Sequence, residues 1–450
     1  MESTAAEWIE SLRNDDLPGN VQRQLKRCLL DGLGAALGGV HTRAAQIAAA
    51  YAEDTAREGA ATVFVTGSRL AVPGAVLANV ISANALDIDD GYRPSKGHPG
   101  GFVIGPTLAA CQERGATDLL AAMAAGYEVG TRAAVATHRY YTHYHASGSW
   151  GAMGAAACVG RVLGLNTEQL GNALGLAEYH AALSPIERCL GTPAMTKDAI
   201  GWGAYAGTSA AYLAARGFTG NPSLLSDPAN RDLVEDLGTK WRVMDLYFKA
   251  YPCCRWAQPG VEAVVSLQRE HAFSVSELAG IVLHTFREAT LLQQTPPRNT
   301  EEAQYHLFWA VAAMLVYGTV GPAQVSDQAM GDSRLVELLP RMRAVIEPDL
   351  QARFPAEALG WVEITLTDGS VLRSGEFTAR GDAHAPLSDE EVKEKFSRLA
   401  EPVLREGTGE IIDIVMDVQV PGNGAILLDR LDLACRRASN RGSESCRTVC

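Results

Sequence analysis

The feature that most restricts how this chain can fold is an apolar, Ala-rich run that ends in closely spaced carboxylates. Residues 72–86 have the spacing of a buried helix. Three acids follow within four positions: Asp87, Asp89 and Asp90. Carboxylates at the carboxyl end of a helix oppose its dipole, which makes a purely structural role less favourable. An ordinary solvated helix end is the alternative, because Asp, Gly and Pro are common there.

Basic residues stand close to these acids and at two other places. The loop broken by Gly and Pro that follows supplies Arg93, Lys96 and His98. His145 precedes the small-residue run 147–151, and Lys197 follows the run 192–196. A lysine at a helix start beside small residues has a lowered pKa if it is buried. Three such places, each with bases in small or apolar sequence, predict one site.

Length and charge limit the classes of protein to which the chain can belong. At 450 residues two domains are expected. A net charge of -13 argues against a surface for nucleic acid or for an anionic membrane. No apolar stretch is long enough for a transmembrane helix, and the acidic N-terminus lacks a signal-peptide core. We therefore expect a cytoplasmic protein that attracts any anionic ligand through a few local bases.

The cysteines and histidines do not form a metal-binding pattern. The nine cysteines are scattered and include no C-x-x-C pair, so we expect free thiols. His143 and His145 have His-x-His spacing, but no third ligand stands at a suitable distance in the sequence. The sequence therefore predicts no metal site.

The pattern changes near residue 267, from helices to a mixture of helices and strands. The hydrophobic spacing predicts a strand at 281–286, helices at 300–317 and 326–346, and a hairpin that pairs 361–366 with 371–373. A helix opens at Ser388, and we expect the polar tail 436–450 to be disordered. The sequence thus predicts a mostly α protein with a small α+β unit.

Several motifs in this order resemble the MmgE/PrpD family, which includes 2-methylcitrate dehydratases, cis-aconitate decarboxylases and iminodisuccinate epimerase. The motifs are Ala85-Leu86-Asp87-Ile88-Asp89-Asp90 with His98-Pro99-Gly100, Gly126-Tyr127-Glu128-Val129, His145 with Gly148-Ser149-Trp150-Gly151, Met195-Thr196-Lys197, Arg216-Gly217-Phe218-Thr219-Gly220, Phe248-Lys249 with Tyr251-Pro252-Cys253-Cys254-Arg255, and Gly381-Asp382 before Pro386-Leu387-Ser388. The resemblance implies a large all-helical domain formed by both chain ends, residues 1–267 and 404–450. It also implies a smaller inserted α+β domain at 268–403, a cofactor-free site between the two and a homodimer.

The resemblance also assigns site residues. Those that match the family's active-site aspartate, two histidines and lysine are Asp87, His98, His145 and Lys197. Three positions depart from the family pattern: Gly91 replaces a Thr, Gln258 a His, and Trp309 the Tyr of decarboxylases. Elimination of water and decarboxylation both need a proton donor, and these departures remove candidates for that donor.

Epimerisation needs only one base on each face of a carbon next to a carboxylate. We therefore predict an epimerase of an imino- or amino-dicarboxylate such as iminodisuccinate. Lys197 is one base, and the sequence does not choose between His145 and Tyr144 for the other. Asp87 orients a base, and the residues predicted to bind substrate are His98, Arg93, Arg255 and Gln258. The alternatives are a 2-methylcitrate-type dehydratase or cis-aconitate-type decarboxylase, and a catalytically silent carboxylate-binding protein on the same fold.

Overall fold

The computed structural model describes residues 4–115, 118–141 and 143–447, and this part of the chain is mostly helical, as predicted. Its helices are α1 (Ala5–Ser11), α2 (Gly19–Gly39), α3 (Arg43–Thr55), α4 (Val72–Asn84), α5 (Pro99–Arg114), α6 (Leu119–Tyr140), α7 (Gly148–Leu163), α8 (Thr167–His180), α9 (Glu187–Gly191), α10 (Ile200–Ala214), α11 (Gln258–Glu270), α12 (Thr300–Gln304), α13 (Trp309–Tyr317), α14 (Pro322–Val325), α15 (Ser333–Val336), α16 (Pro348–Arg353), α17 (Asp389–Leu404), α18 (Thr408–Met416) and α19 (Asn423–Arg447). Its strands are β1 (Glu58–Thr62), β2 (Arg69–Leu70), β3 (Leu278–Thr285), β4 (Met342–Ile346), β5 (Leu359–Leu366), β6 (Val371–Arg373) and β7 (Phe377–Thr378).

The helical part is held together by close packing of small residues. Helix α7 packs against both α6 and α10. A Cβ added at Gly207 of α10 would lie 2.0 Å from the carbonyl oxygen of Ala152 in α7, so the two backbones meet almost directly. The Ala- and Gly-rich sequence of these helices is therefore required by their spacing.

The C-terminal part of the chain returns to the first helices. Ser388 caps α17, as predicted, by accepting a hydrogen bond from the backbone of Glu391 at 3.2 Å. Helix α17 packs on α2, and its Lys395 donates to Asp31 Oδ1 at 2.5 Å. Lys395 also donates to the carbonyl of Ile88 at 2.7 Å, so a side chain of α17 stabilises the backbone of the acidic loop after α4.

The α+β part is built on one sheet in the order β4-β3-β5-β6, with β7 also paired to β5. The predicted hairpin is confirmed: Glu363 lies opposite Arg373, and the turn is closed by a bond from Ser370 N to Asp368 Oδ1 at 2.8 Å. Strands β3 and β4 are parallel, and the other pairs in the sheet are antiparallel.

Three predictions for this half of the chain need correction. The predicted helix 326–346 is wrong over most of its length, because 342–346 form β4 and only Ser333–Val336 is α-helical. The predicted helix 300–317 is interrupted between α12 and α13. The tail predicted to be disordered from 436 is helical through Arg447, and 448–450 lie outside the described residues.

Buried side chains form two clusters, which supports a division of the chain into two units. One cluster contains most of the buried apolar residues up to Phe248 together with buried residues of α17, α18 and α19. The other contains α11, α13 and the sheet. The domain bounds 1–267 with 404–450, and 268–403, remain a proposal.

Candidate active site

A cavity of about 640 Å³ lies between the helical part and the α+β part. Its wall includes five of the eight predicted site residues: Asp87, Arg93, His98, Tyr144 and Arg255. The three that do not line it are Lys197, His145 and Gln258. The predicted acid and bases from 84–101 therefore do converge on one space.

Asp87 stands at the centre of the charged groups. It follows the end of α4 in a left-handed backbone conformation (φ 52°) and is 2% exposed. Lys249 Nζ donates to its Oδ2 at 2.5 Å. Burial favours the neutral acid, but the adjacent ammonium groups of Lys249 and Lys197 outweigh it and lower the pKa of Asp87 to about 2. Burial likewise opposes the charge on Lys249, and Asp87 outweighs it, so the pKa of Lys249 is raised.

Lys197 is buried directly behind Asp87. Its Nζ lies 4.0 Å from Asp87 Oδ1 and donates to the carbonyl of Asn84 at 2.8 Å and to Gln304 Oε1 at 2.5 Å. Its pKa is lowered by burial, as predicted, with Asp87 opposing the shift. The helix predicted to start at Lys197 begins at Ile200 instead, so the lysine lies before the helix rather than in its first turn.

His98 is held between acidic groups at the start of α5. Its Nδ1 donates to the carbonyl of Asp90 at 2.8 Å, which fixes the proton on that nitrogen in the neutral ring. Its Nε2 lies 3.8 Å from Asp87 Oδ1. This nitrogen is therefore oriented toward the central carboxylate and the cavity.

Three tyrosine side chains add hydroxyl groups to the wall: Tyr144, Tyr247 and Tyr305. Tyr305 donates to Asp87 Oδ1 at 3.3 Å, and Tyr144 donates to the carbonyl of Lys96 at 2.6 Å. Burial raises the pKa of each of the three phenols, so all remain protonated at neutral pH.

Gly91 makes room for one of these rings. A Cβ at Gly91 would lie 2.1 Å from Cζ of Tyr247, and the two residues also exchange backbone hydrogen bonds of 2.9 Å. A threonine at position 91 does not fit beside this ring. Gly91 therefore provides the space that the Tyr247 ring occupies.

Arg93 and Arg255 both line the cavity and share the carboxylate of Asp382. Arg93 Nη2 donates to Asp382 Oδ2 at 2.8 Å, and Arg255 Nη2 lies 2.6 Å from the same oxygen. Arg93 also donates to the carbonyls of Pro355 and Ala356, which belong to the α+β part. Arg255 stacks 3.9 Å over the ring of Tyr247, and its buried Nη1 has no hydrogen-bond partner within the described ranges.

Two predicted site residues, His145 and Gln258, do not line the cavity, and neither does Trp309. His145 stacks on His138 with ring centroids 4.9 Å apart, and burial lowers its pKa. Gln258 donates to the carbonyl of Cys253 at 3.1 Å, so the predicted contact between Gln258 and substrate has no support here. Trp309 donates to the carbonyl of Gln324 at 2.8 Å and also lies outside the cavity wall.

Sequence reasoning missed several cavity residues, including Asp198, Tyr247, Lys249 and Tyr305. Lys249 carried a usable signal, because it is a lone base between Phe248 and Ala250, much as Lys197 is a lone base in small-residue sequence. Asp198 directly follows Lys197, and that adjacency could have found it. Tyr305 had no such signal, since the run 300–317 predicted an unbroken helix.

The described part of the chain offers neither a metal-binding cluster nor a membrane-spanning helix. Over residues 4–115, 118–141 and 143–447, no cluster of three or more His, Cys, Asp or Glu side chains is arranged to hold a metal ion. Within the same ranges, no helix combines the length and the apolar character needed to cross a bilayer. The seven cysteines from Cys28 to Cys435 are free thiols.

The whole chain can be compared with known proteins. It is 26% identical to human cis-aconitate decarboxylase over 441 residues, which covers 91% of this chain and 90% of the relative. It is 23% identical to the cis-aconitate decarboxylase-like protein oryM of Aspergillus oryzae over 442 residues (88% and 90% covered). It is also 23% identical to a cis-aconitate decarboxylase of Aspergillus terreus over 452 residues (91% of each).

Family models agree with these matches. The MmgE/PrpD N-terminal domain model matches residues 3–231, and the MmgE/PrpD C-terminal domain model matches 251–419. Together the two models span most of the chain, including the acidic loop after α4 and the tyrosine at 305. The chain belongs to the MmgE/PrpD family.

Proposed function

We propose that this protein is a lyase that removes CO₂ from a small tricarboxylate of the cis-aconitate type. Three relatives named for that activity, or for likeness to it, each match about nine-tenths of the chain. The epimerase becomes the second candidate, because that prediction depended on positions that do not face the cavity.

The observation that carries the proposal is the set of protonated hydroxyl groups on the cavity wall. The epimerase prediction assumed that Gly91, Gln258 and Trp309 leave the site without a proton donor. Positions 258 and 309 lie outside the wall, and position 91 is covered by the ring of Tyr247. The wall itself supplies the phenols of Tyr144, Tyr247 and Tyr305. A reaction that needs an acid is therefore compatible with this site.

The cationic groups suit a substrate with several carboxylates. Arg93 and Arg255, which share Asp382, line the cavity and can bind substrate carboxylates, and the ammonium of Lys249 lies beside Asp87 on the same lining. When the bond to one carboxylate breaks, its electron pair moves through the neighbouring double bond toward a second carboxylate. Fixed cations stabilise that developing negative charge, and a wall acid then protonates the carbon.

Purified protein incubated with cis-aconitate provides the test. Release of CO₂ and the appearance of a terminal alkene in the proton NMR spectrum are the expected results. A parallel sample with 2-methylcitrate checks the dehydratase alternative, which yields a new alkene without CO₂. Failure to release CO₂ from cis-aconitate under conditions where the protein is folded and binds tricarballylate contradicts the proposal.

A second candidate is the epimerase, and Tyr144 favours it. Tyr144 was predicted as one of two alternative second bases, and it lines the cavity together with His98. Its phenol is protonated, so in this reaction it returns the proton to the stereocentre instead of removing it. Incubation with stereochemically pure iminodisuccinate in D₂O distinguishes the two functions. Loss of the α-proton signal with formation of the other diastereomer supports the epimerase, whereas an unchanged spectrum leaves the lyase.

The catalytic role of Lys197 and the homodimer remain predictions. The buried position of Lys197 behind Asp87 supports a role in keeping that carboxylate ionised. The silent carboxylate-binding protein predicts ligand-dependent thermal stabilisation without turnover of any of these substrates.

A further inference from the structure

Asp198 lines the cavity, and one of its carboxyl oxygens has no hydrogen-bond partner in the described part of the chain. The residue is 4% exposed and lines the wall. Its Oδ2 accepts a hydrogen bond from Ser147 Oγ at 2.8 Å. Its Oδ1 is buried and has no hydrogen-bond partner in the described part of the chain. A buried carboxylate oxygen without a donor is unfavourable, so this atom requires either a proton or a ligand.

The backbone on both sides of Asp198 is held in an unusual conformation. Lys197 (φ 40°) and Ala199 (φ 56°) are both left-handed, although neither is glycine. Gly148 N donates to the carbonyl of Asp198 at 2.9 Å and anchors the turn to the start of α7. Such strain persists where the surrounding structure enforces it, and it is concentrated at functional sites. Of the two consecutive side chains, Asp198 lines the cavity, whereas Lys197 does not line it and lies 4.0 Å from Asp87 Oδ1.

The groups around Asp198 come from several elements. Those that interact with it electrostatically or by hydrogen bonding are Asp87, Asp89, His98, Tyr144, Ser147, Cys189, Cys254 and Tyr305. Burial raises the pKa of Asp198, while His98 and the Ser147 hydroxyl oppose the shift. Asp87 and Asp89 act in the same direction as burial. A bound polycarboxylate adds further negative charge and favours the protonated form still more.

We propose that Asp198 is the acid that protonates the substrate carbon, an inference that rests on the proposed lyase function. The substrate's bond to one carboxylate breaks and releases CO₂, and the electron pair moves through the double bond to the carbon next to a second carboxylate. That carbon takes the proton from the Asp198 carboxyl group. Asp198 is left as a carboxylate, to which Ser147 still donates. One proton from solvent restores the acid, so each turnover consumes one proton.

Asp198→Asn tests this role because it keeps the size and the Ser147 contact but cannot deliver an acidic proton. We expect the rate of CO₂ release to fall by roughly 10²–10⁴-fold with little change in KM. Asp232→Asn, an exposed Asp paired with Arg139, is the matched control and should leave the rate unchanged. An active wild-type enzyme together with a fully active, folded Asp198→Asn variant would overturn the inference while leaving the lyase function intact.

Ser147→Ala gives a second readout if Asp198→Asn does not fold. Removing the hydroxyl that stabilises the Asp198 carboxylate raises the pKa of that group. Activity requires the protonated acid, so the alkaline limb of the kcat profile should move to higher pH. An alkaline limb that stays in place in folded, active Ser147→Ala contradicts the assignment.

A measurement without turnover separates this inference from the proposed function. In the tricarballylate complex, the infrared C=O stretch of a protonated carboxylic acid should be stronger in wild type than in Asp198→Asn. If wild type shows this difference but releases no CO₂, the lyase function fails and the protonated Asp198 stands. If the two spectra are identical, Asp198 is not the acid.

Discussion

Lys249 Nζ lies 2.5 Å from Asp87 Oδ2, and both side chains are almost completely buried. The two residues are far apart in the sequence of the helical part, with the acid after α4 and the lysine just before α11. Their pairing keeps an ionised carboxylate inside the cavity wall, where an isolated carboxylate would be protonated.

Replacing Asp87 with Asn should destabilise the protein strongly. Lys249 would keep a buried charge without its partner, which typically costs about 3–5 kcal/mol of unfolding free energy. Chemical denaturation followed by circular dichroism measures the change. Asp232→Asn removes an exposed ion pair with Arg139 and should have little effect. Equal stability of the two variants would mean that the buried pair contributes no more than a surface pair.

The stability of the protein should decrease from mildly acidic to neutral pH because of Asp90. Burial, with Asp31 nearby, raises the pKa of Asp90 to about 7 in the folded protein. In the unfolded chain the pKa of Asp is about 3.9, so between these values only the folded state holds the proton. The free energy of unfolding then falls as pH rises through this window, by up to about 1.4 kcal/mol per pH unit.

Asp90→Asn tests this pH dependence directly. Urea denaturation at several pH values between about 4 and 7 should give a shallower slope for the variant than for wild type. Some slope should remain, since Asp31 also has a raised pKa, of about 6. An unchanged slope would show that Asp90 does not hold a proton in the folded protein.

Gly91→Ala should damage the site without touching a charged residue. The added Cβ would overlap the ring of Tyr247, so that ring must leave its position under Arg255. We expect a loss of about 1–3 kcal/mol in stability, as for other overpacked sites, and a higher KM. Gly171→Ala in α8 is the control, because a Cβ added there would meet no atom within 4 Å among the described residues. A wild-type KM in the Gly91 variant would contradict the role of Tyr247.

Arg255→Met should weaken the binding of tricarboxylates. A lost charge-assisted hydrogen bond corresponds to a decrease of roughly 10- to 100-fold in affinity. Isothermal titration with tricarballylate gives the dissociation constant. Arg298→Met is suitable as a control because its side chain is 82% exposed and pairs with Glu302 of the adjacent turn. Wild-type affinity in Arg255→Met would exclude this residue from the binding site.

Lys197→Arg tests whether Lys197 contributes a positive charge or acts as a base. The ammonium of Lys197 donates to oxygens of Asn84 and Gln304 and lies near Asp87, so a retained positive charge should preserve part of the activity. Lys197→Ala should lose roughly 10²–10⁴-fold in turnover. Arginine does not act as a base in proteins. Equal losses in the two folded variants would indicate proton transfer by Lys197 and favour the epimerase.

The elements that the sequence predicted well are those fixed by local chemistry. The hairpin between β5 and β6 follows from its Asp-Gly turn, and the start of α17 follows from the Ser388 cap. The helix predicted at 326–346 failed because the spacing of its apolar residues suits both a helix and a strand. Pairing with β3 decides that residues 342–346 form β4, and this pairing is not visible in the local sequence.

The sequence predicted which region supplies the site residues, but it did not predict which side chains face the cavity. The acids and bases of 84–101 were recognised from their density, and several of them line the cavity. Gln258 and His145 are buried away from the cavity, and this placement depends on contacts with Cys253 and His138 that only the folded chain reveals. Residue type therefore identified the chemistry of the region, while tertiary packing decided which side chains take part.

The bond from Lys395 to the carbonyl of Ile88 spans 307 positions of the chain. During synthesis, the acidic loop leaves the ribosome long before α17 exists. Until then Lys395 is missing, which pairs with Asp31 of α2 and holds the carbonyl of Ile88 in the loop. The candidate active site thus reaches its final arrangement only when nearly nine-tenths of the protein has been translated, so translation that stops before α17 leaves the acids in place but not the support that orients them.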